Sequence, residues 1–412
     1  MRNTLAQWLE YYQTLHHTAI DLSLDRIRLV AQNMGLLPVS VPTFMVAGTN
    51  GKGTTLACLD ALLREQGYCT GRLTSPHLIH YNERITLSDV PVADDLLIAA
   101  FSAIEQQRGD TTLSFFEINV LAALWVFRQA QVDVVLLEVG MGGRLDACNI
   151  VDADVAMITT VDLDHQAWLG DTREKIGKEK AGIMRSGQPV ILADPVMPDT
   201  VLTHAQQLGS PCYYCGVDYH VSLVDDQWSL ASGDHAWQAL PVPHIPLNNA
   251  AAAMVALQCH RDFRVPTQAE CQTVLSALQV TGRCQHMALA CDVVLDVAHN
   301  PQSASYLAEH LQKHPVSGKT YALFSVLADK DITEIITPLF PIANQWHYAP
   351  LIGIERAATM AQMAACLPDN AVQHAMLSAG YEAIVQQVQP QDRIVIFGSF
   401  FTVAAMLEEI QP

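Results

Sequence analysis

Phe44-Met45-Val46-Ala47-Gly48-Thr49-Asn50-Gly51-Lys52-Gly53-Thr54, residues 44–54, is the stretch that decides the fold. Four apolar residues run as a strand into a glycine-rich turn, and the spacing of apolar residues beyond it predicts a helix from about Thr54 to Gln66. Strand, phosphate loop and helix in succession open a parallel α/β sheet. Such a loop needs glycines so that backbone N–H groups can turn toward an anion, a lysine to neutralise β- and γ-oxygens, and a hydroxyl to hold Mg2+. Thr49, Asn50, Gly51, Lys52, Gly53 and Thr54 supply these groups. The segment departs from G-x4-G-K-[ST] in two places: Val46 stands at the first position, and Gly53 is inserted between Lys52 and Thr54.

Moving outward, Val132–Val139 reads as a second buried strand ending in Gly140-Met141-Gly142-Gly143, and Val155–Thr160 as a third ending in Val161-Asp162-Leu163-Asp164-His165. Polar residues thus collect at carboxyl ends of strands, where open parallel sheets bind their ligands. The glycines at 140–143 miss the G-x-G-x-x-G spacing because Leu145 fills the last place, so they are expected to let the backbone pass close to a ligand, with Arg144 and Asp146 presented nearby. Gly318-Lys319-Thr320 lacks upstream glycines and reads as an ordinary turn. Upstream of the loop, Leu5 to Met34 has helical spacing, and Pro38 and Pro42 introduce the extended run. Short strand-like pieces from Tyr213 to Ala239 precede an Ala-rich helix from Asn248 to His260.

A boundary is placed around Gln279 to Met287, giving domains 1–281 and 282–412. Val293–Asp296, Tyr321–Ser325 and Arg393–Gly398 read as buried strands of the second. The expected fold is α/β: an N-terminal P-loop ATPase-type domain with a mainly parallel sheet, plus a smaller C-terminal Rossmann-like α/β domain.

The composition agrees with two cores: 50% of the 412 residues are apolar and 16% charged. With 23 basic against 42 acidic residues the chain carries a formal −19, which repels a polyanion and argues against nucleic acid, while a local cluster of Lys and Arg still suits a small anion. Its apolar stretches fall short of the roughly 18 to 20 residues of a membrane span. The start, MRNTLAQWLEYYQTLHH, has no long apolar core, so no secretory signal and a cytoplasmic location are expected. Among ten cysteines only Cys212 and Cys215 have CxxC spacing, and without a second pair they read as strand or core residues.

Seven blocks in order carry a resemblance: GTNGKGTT at 48–55, SPHL at 75–78, SFFE at 114–117, LEVGMGGRLDACNIV at 137–151, DLDHQAWLG at 162–170, REKIGKEKAGI at 173–183 and LDVAHNP at 295–301. The chain resembles the dihydrofolate synthase/folylpolyglutamate synthase family, within the Mur-ligase group of ATP-dependent amide-forming enzymes, and most of all its bifunctional members. The resemblance implies that domain 1–281 binds ATP and pterin and that 282–412 is a glutamate-ligase domain. It implies ATP, L-glutamate, dihydropteroate and tetrahydrofolates as substrates of a monomer, and an acyl phosphate formed from the acceptor carboxylate and consumed by the glutamate amine. Two Mg2+ ions are implied: Thr54 and Ser75 would hold the first, with Glu138 contributing, and Glu138 and His165 the second. Lys52, His165 and a carbamylated Lys180 would serve catalysis. Nucleotide contacts would come also from Asn249, Arg283 and Asp296. Pterin or folate would meet Asp21, Leu22, Ser23, Leu24 and Asp25, then Ser114, Phe115, Phe116 and Glu117, with Arg144 and Asp146.

Blander readings compete with these roles. Lys180 sits in a charged segment, Arg173 to Arg185, that reads as a solvated helix face. Phe115 and Phe116 serve a core as readily as a heterocycle, and Asn300 fits a helix N-cap as well as a ligand contact. Glu138 is harder to dismiss, because a carboxylate closing an apolar strand is expensive to bury unpaired. The rival class is a P-loop nucleotide switch, which needs neither an acceptor site nor a second metal. Within the ligases, monofunctional dihydrofolate or folylpolyglutamate synthases share these motifs. Cell-wall ligases share some, but only about 50 residues precede the loop here, too few for their additional domain.

Overall fold

A computed structural model describes residues 2–18 and 21–410 and divides the chain into two units, Met1–Leu278 and Gln279–Pro412. Among the described residues the first unit is built on an eight-stranded sheet. Its order is Val90–Pro91, Ile85–Leu87, Thr70–Leu73, Val134–Glu138, Thr43–Ala47, Val155–Ile158, Val190–Leu192 and Cys212–Tyr214. The first two strands pair antiparallel and the rest run parallel. Every residue of Thr43–Ala47 and Val134–Glu138 is buried, the continuous apolar pattern expected of parallel strands covered on both faces. Register places Val46 opposite both Glu138 and Met157, so the loops after the three central strands leave the sheet on one rim.

Helix Lys52–Glu65 packs against Leu247–Cys259, whose Ala250, Ala251, Ala252 and Ala253 are buried and permit close approach. The first of these starts at Lys52, two residues before the sequence reading. Gly51 takes φ 87, and its carbonyl accepts both the Thr54 and Thr55 hydroxyls, so the first turn is wound directly off the glycine. At the N-terminus, the single helical stretch expected over Leu5 to Met34 is two helices, Leu5–Leu15 and Asp25–Asn33. Trp8 and Tyr12 of the first pack on Phe101, and Tyr12 donates to the Phe101 carbonyl at 3.1 Å. The strand-like region past residue 212 includes an antiparallel sheet of Tyr219–Val224, Gln227–Ser232 and His235–Pro241 around buried Trp228 and Trp237.

In the second unit the strand order is Gln285–Ala288, Asp292–Asp296, Arg393–Phe397, Thr320–Phe324, Gln345–Tyr348 and Val372–Gln373. Only the first pair is antiparallel, which makes the Rossmann-like character. The unit has its own core around Val294, Leu307, Phe324 and Phe397. Arg393 is buried against it, donating to Asp292 at 2.9 Å and to the Leu311 carbonyl at 3.2 Å. Gly318 turns under the 391–392 loop, where the Asp392 carboxylate accepts the Lys319 N–H at 2.7 Å, as an ordinary turn requires.

Candidate active site

The phosphate loop is latched to the neighbouring strand end by its own backbone. Thr49 N–H donates to the Thr160 carbonyl at 2.8 Å, Asn50 N–H to the Thr160 hydroxyl at 3.0 Å, and the Thr159 hydroxyl to the Asn50 carbonyl at 2.6 Å. Gly51 is indispensable on two counts: its positive φ, and a Cβ there would stand 2.5 Å from Asn249 Nδ2. That Nδ2 donates to the Thr54 hydroxyl at 2.8 Å, which in turn donates to Gly51 at 2.9 Å. Asn249 therefore holds the loop and its hydroxyl together. Lys52 Nζ folds over the loop, donating to the Gly48 carbonyl at 3.0 Å and the Thr49 carbonyl at 3.4 Å. A helix of 14 residues follows, directing its first-turn N–H groups and positive dipole end at the loop.

Glu138 closes its strand 5% exposed, and its Oε2 accepts the Ser75 N–H at 3.1 Å. A Cβ on Gly53 would lie 3.5 Å from the same Oε2. The inserted glycine thus runs past the carboxylate and leaves bare the space a side chain would fill. Among the described residues no three of His, Cys, Asp and Glu gather to hold a metal. Hydroxyls and one carboxylate, with phosphate oxygens completing the shell, are nonetheless the donor set Mg2+ prefers, so Thr54, Ser75 and Glu138 fit it. His165 has a side chain 46% exposed, with its Nε2 3.9 Å from Asp164 Oδ2.

Lys180 is 3% exposed, against the solvated-face reading of its segment. The helix Arg173–Ala181 turns Ile176, Gly177, Lys180 and Ala181 inward. Burial pushes the amine down to about 7; the charge of Lys52 pushes the same way, and Asp164 and Asp146 oppose it. The 140–143 glycines let this segment pack closely on the Lys180 helix and on Phe116. A Cβ on Gly143 would stand 2.7 Å from the Glu179 carbonyl and 2.9 Å from that of Lys180, and one on Gly140 2.7 Å from the Phe116 ring. Asp146 clamps this segment, accepting the N–H groups of Met141 at 2.9 Å and Cys148 at 3.0 Å, and burial raises its carboxyl to about 6. Arg144, half exposed, pairs with Glu179 at 3.0 Å.

Asp21 to Leu24 precede the helix Asp25–Asn33 and are partly exposed, with Asp25 exposed. Ser114 and Glu117 form a capping box at the start of Phe115–Ala130. Phe115 and Phe116 both pack against the core; Phe115 sets its edge on Tyr81 at 5.7 Å. Sequence reading missed two cations here. Arg26 joins the two segments, donating to Asp21 at 2.7 Å and to both Glu117 oxygens at 3.2 Å. Arg84 lies over the Phe115 ring at 5.6 Å and donates to His77 Nδ1 at 2.7 Å; burial lowers its guanidinium, and Tyr81, Glu138 and Glu83 oppose the shift. Neither carries a motif; only the fold brings them to the site.

In the second unit, both Asp296 oxygens accept backbone N–H groups, of Cys284 and Ala298, each at 2.7 Å. Burial raises that carboxyl and the charge of Arg283 opposes the rise. Arg283 lies over the Phe400 ring at 5.3 Å. Asn300 is an N-cap, accepting the Ser303 N–H at 3.0 Å.

Comparison with known proteins bears on the same residues. Residues 46–230 match the Mur ligase middle domain, and 282–400 the Mur ligase glutamate ligase domain. The dihydrofolate synthase/folylpolyglutamate synthase of Escherichia coli (strain K12) is 41% identical over 406 residues, covering 98% of this chain and 95% of the relative. The structure of E. coli FolC in complex with DHPP and ADP superposes with a TM-score of 0.95 at 40% identity, covering 99% of this chain and 98% of that one. A bifunctional folylpolyglutamate synthase/dihydrofolate synthase with Mn, AMPPNP and L-glutamate bound superposes at 0.93 with 39% identity, covering 100% and 98%. Similarity this extensive, spanning both domains and all the strand-end motifs, means that the chain belongs to the dihydrofolate synthase/folylpolyglutamate synthase family of Mur ligases, ATP-dependent enzymes that form amide bonds.

Proposed function

We propose that the chain joins L-glutamate to dihydropteroate, giving dihydrofolate, and to the γ-carboxylate of tetrahydrofolates, giving folylpolyglutamates, while ATP is cleaved to ADP and phosphate. The observation that carries this reading is the meeting of Lys52-Gly53-Thr54 with Glu138 and Ser75 on one sheet rim, a phosphate cradle with a carboxylate beside it. Amide formation from a carboxylate is uphill in water. An acceptor oxygen therefore bonds to the γ-phosphorus as the bond to ADP breaks; the glutamate amine then adds to the acyl carbon, and phosphate leaves as the tetrahedral intermediate collapses. The protein has little covalent work to do, and its task is positioning and charge neutralisation.

Lys52 neutralises γ-oxygens, while Thr49, Asn50, Gly51 and Gly53 present backbone to the phosphates and Asn249 steadies Thr54. Thr54, Ser75 and Glu138 would hold one Mg2+, and Glu138 with His165 a second; such ions would supply neutralisation of charge on the phosphate oxygens. Lys180, with its amine brought down to about 7, supplies a substantial fraction of the free amine that carbamylation requires at neutral pH, and the resulting anion would support the second ion. Arg283 and Asp296 are further ATP contacts. The segments 21–25 and 114–117, with Arg144 and Asp146, serve the pterin. Residues 1–281 bind ATP and pterin, 282–412 form the glutamate-ligase domain, and the enzyme works as a monomer.

The test supplies dihydropteroate and a tetrahydrofolate separately, each with ATP, Mg2+ and L-glutamate, and identifies products by mass. Glutamylated product from both is expected. Product from one alone narrows the enzyme to a monofunctional synthase, and ADP release indifferent to acceptor and L-glutamate overturns the ligase reading.

A further inference from the structure

The two segments assigned to the pterin lie far apart in sequence and are joined by a chain of polar contacts at a single node, Asp21. His16 Nε2 meets Asp21 Oδ2 at 3.1 Å, and Arg26 Nη1 donates to the same oxygen at 2.7 Å. Arg26 then reaches the other segment, and His16 the residues just before it. His16 Nδ1 meets the Thr112 hydroxyl at 2.9 Å, and Arg26 Nη2 spans both oxygens of Glu117 at 3.2 Å. Glu117 is 2% exposed, and its Oε2 accepts the Ser114 N–H at 2.7 Å, fixing the first turn of the helix that carries Phe115 and Phe116. Arg26 is thus the counter-ion of a buried carboxylate that itself sets a helix end.

We infer that Arg26 is a positioning residue for the acceptor: through Asp21 and Glu117 it locks residues 21–25 and 114–117 into one wall against which the heterocycle binds. The inference rests on the pterin assignment proposed above. The geometry uses what is particular to arginine, a planar fork whose Nη1 and Nη2 serve two different carboxylates at once; a lysine ammonium carries the charge without the fork. The two carboxylates it serves, Asp21 and Glu117, lie outside the phosphate loop and the Glu138 group.

The experiment compares parent, Arg26→Lys, Arg26→Gln and the double variant Arg26→Gln/Glu117→Gln in steady-state kinetics, with dihydropteroate binding measured separately by titration calorimetry. Arg26→Gln is expected to raise KM and the dissociation constant for dihydropteroate by about tenfold or more, the loss of a charge-assisted pair. KM for ATP and L-glutamate should change by less than about twofold, as expected for contacts outside the altered group. Arg26→Lys should recover only part of the loss. The double variant, which no longer buries an unpaired carboxylate, should regain melting temperature without regaining acceptor affinity. Unchanged acceptor affinity in Arg26→Gln, or KM values rising together for all three substrates, overturns the inference. A parent that fails to bind dihydropteroate at all overturns the pterin assignment instead, so the two failures are distinguishable.

Discussion

Lys180 shows what a single burial does to chemistry. An amine attacks carbon dioxide only when neutral, and burial brings this one from the ordinary 10.5 down to about 7. Labelled bicarbonate should therefore give a carbamate carbon signal that is strong at pH 8.5, weak at pH 6 and missing from Lys180→Ala; turnover of Lys180→Ala should recover in part with short carboxylic acids. An unmodified Lys180 in the intact mass of an active preparation would count against this. Stability carries the same sign information. Between about 7 and 10.5 the unfolded chain holds a proton the folded chain does not, so folding is favoured as pH rises through that window and penalised below it. In buffer free of carbon dioxide, Lys180→Met should melt above the parent at pH 6, and the gap should narrow toward pH 10. For Lys52→Ala, loss of γ-phosphate neutralisation should lower kcat by about 10^2 to 10^3-fold; retention of parental turnover removes Lys52 from the mechanism.

At the level of elements, the loop predicts its own sensitivity. Gly51→Ala must strain a φ of 87 and push against Asn249, so about 1–3 kcal/mol is lost at the loop and ADP affinity should fall by about tenfold or more. Gly67→Ala is the control: its φ is 91 but open space surrounds it, so stability alone should drop and ADP affinity should hold. Equal loss of affinity in both variants would mean that general destabilisation, not loop geometry, is being read. The same contrast marks what was legible in the sequence. Strands 43–47 and 134–138 are buried on both faces, so an unbroken apolar run announced them, and the loop between strand and helix followed from its glycines. The break between helices 5–15 and 25–33 was not legible, since apolar spacing continues on both sides and His16 and Arg26, which flank the break, are tied to Thr112 and Glu117, about 90 residues on. Lys180 was hidden for a similar reason: its helix is polar in sequence, and the packing that buries it comes from the fold.

At the scale of the molecule, two units with separate cores should not unfold as one. Calorimetry of the intact chain is expected to resolve two transitions, or one whose van't Hoff enthalpy falls below the calorimetric value. A nucleotide stabilises only the unit that binds it, by about 2.7 kcal/mol at a free concentration near 100 times its dissociation constant. Mg2+ and ADP should therefore raise the transition of the unit that carries Gly48 to Thr54, and Lys52→Ala should abolish that rise. The other transition tests the assignment of Arg283 and Asp296: if they contact ATP it moves as well, and Arg283→Ala returns it to its ligand-free temperature. Asp296 makes this more than a formality, because both of its oxygens already accept backbone N–H groups at 2.7 Å and serve the local turn without any ligand. A second transition indifferent to nucleotide would leave Asp296 with that structural role and confine ATP recognition to the loop, Asn249 and the Glu138 group.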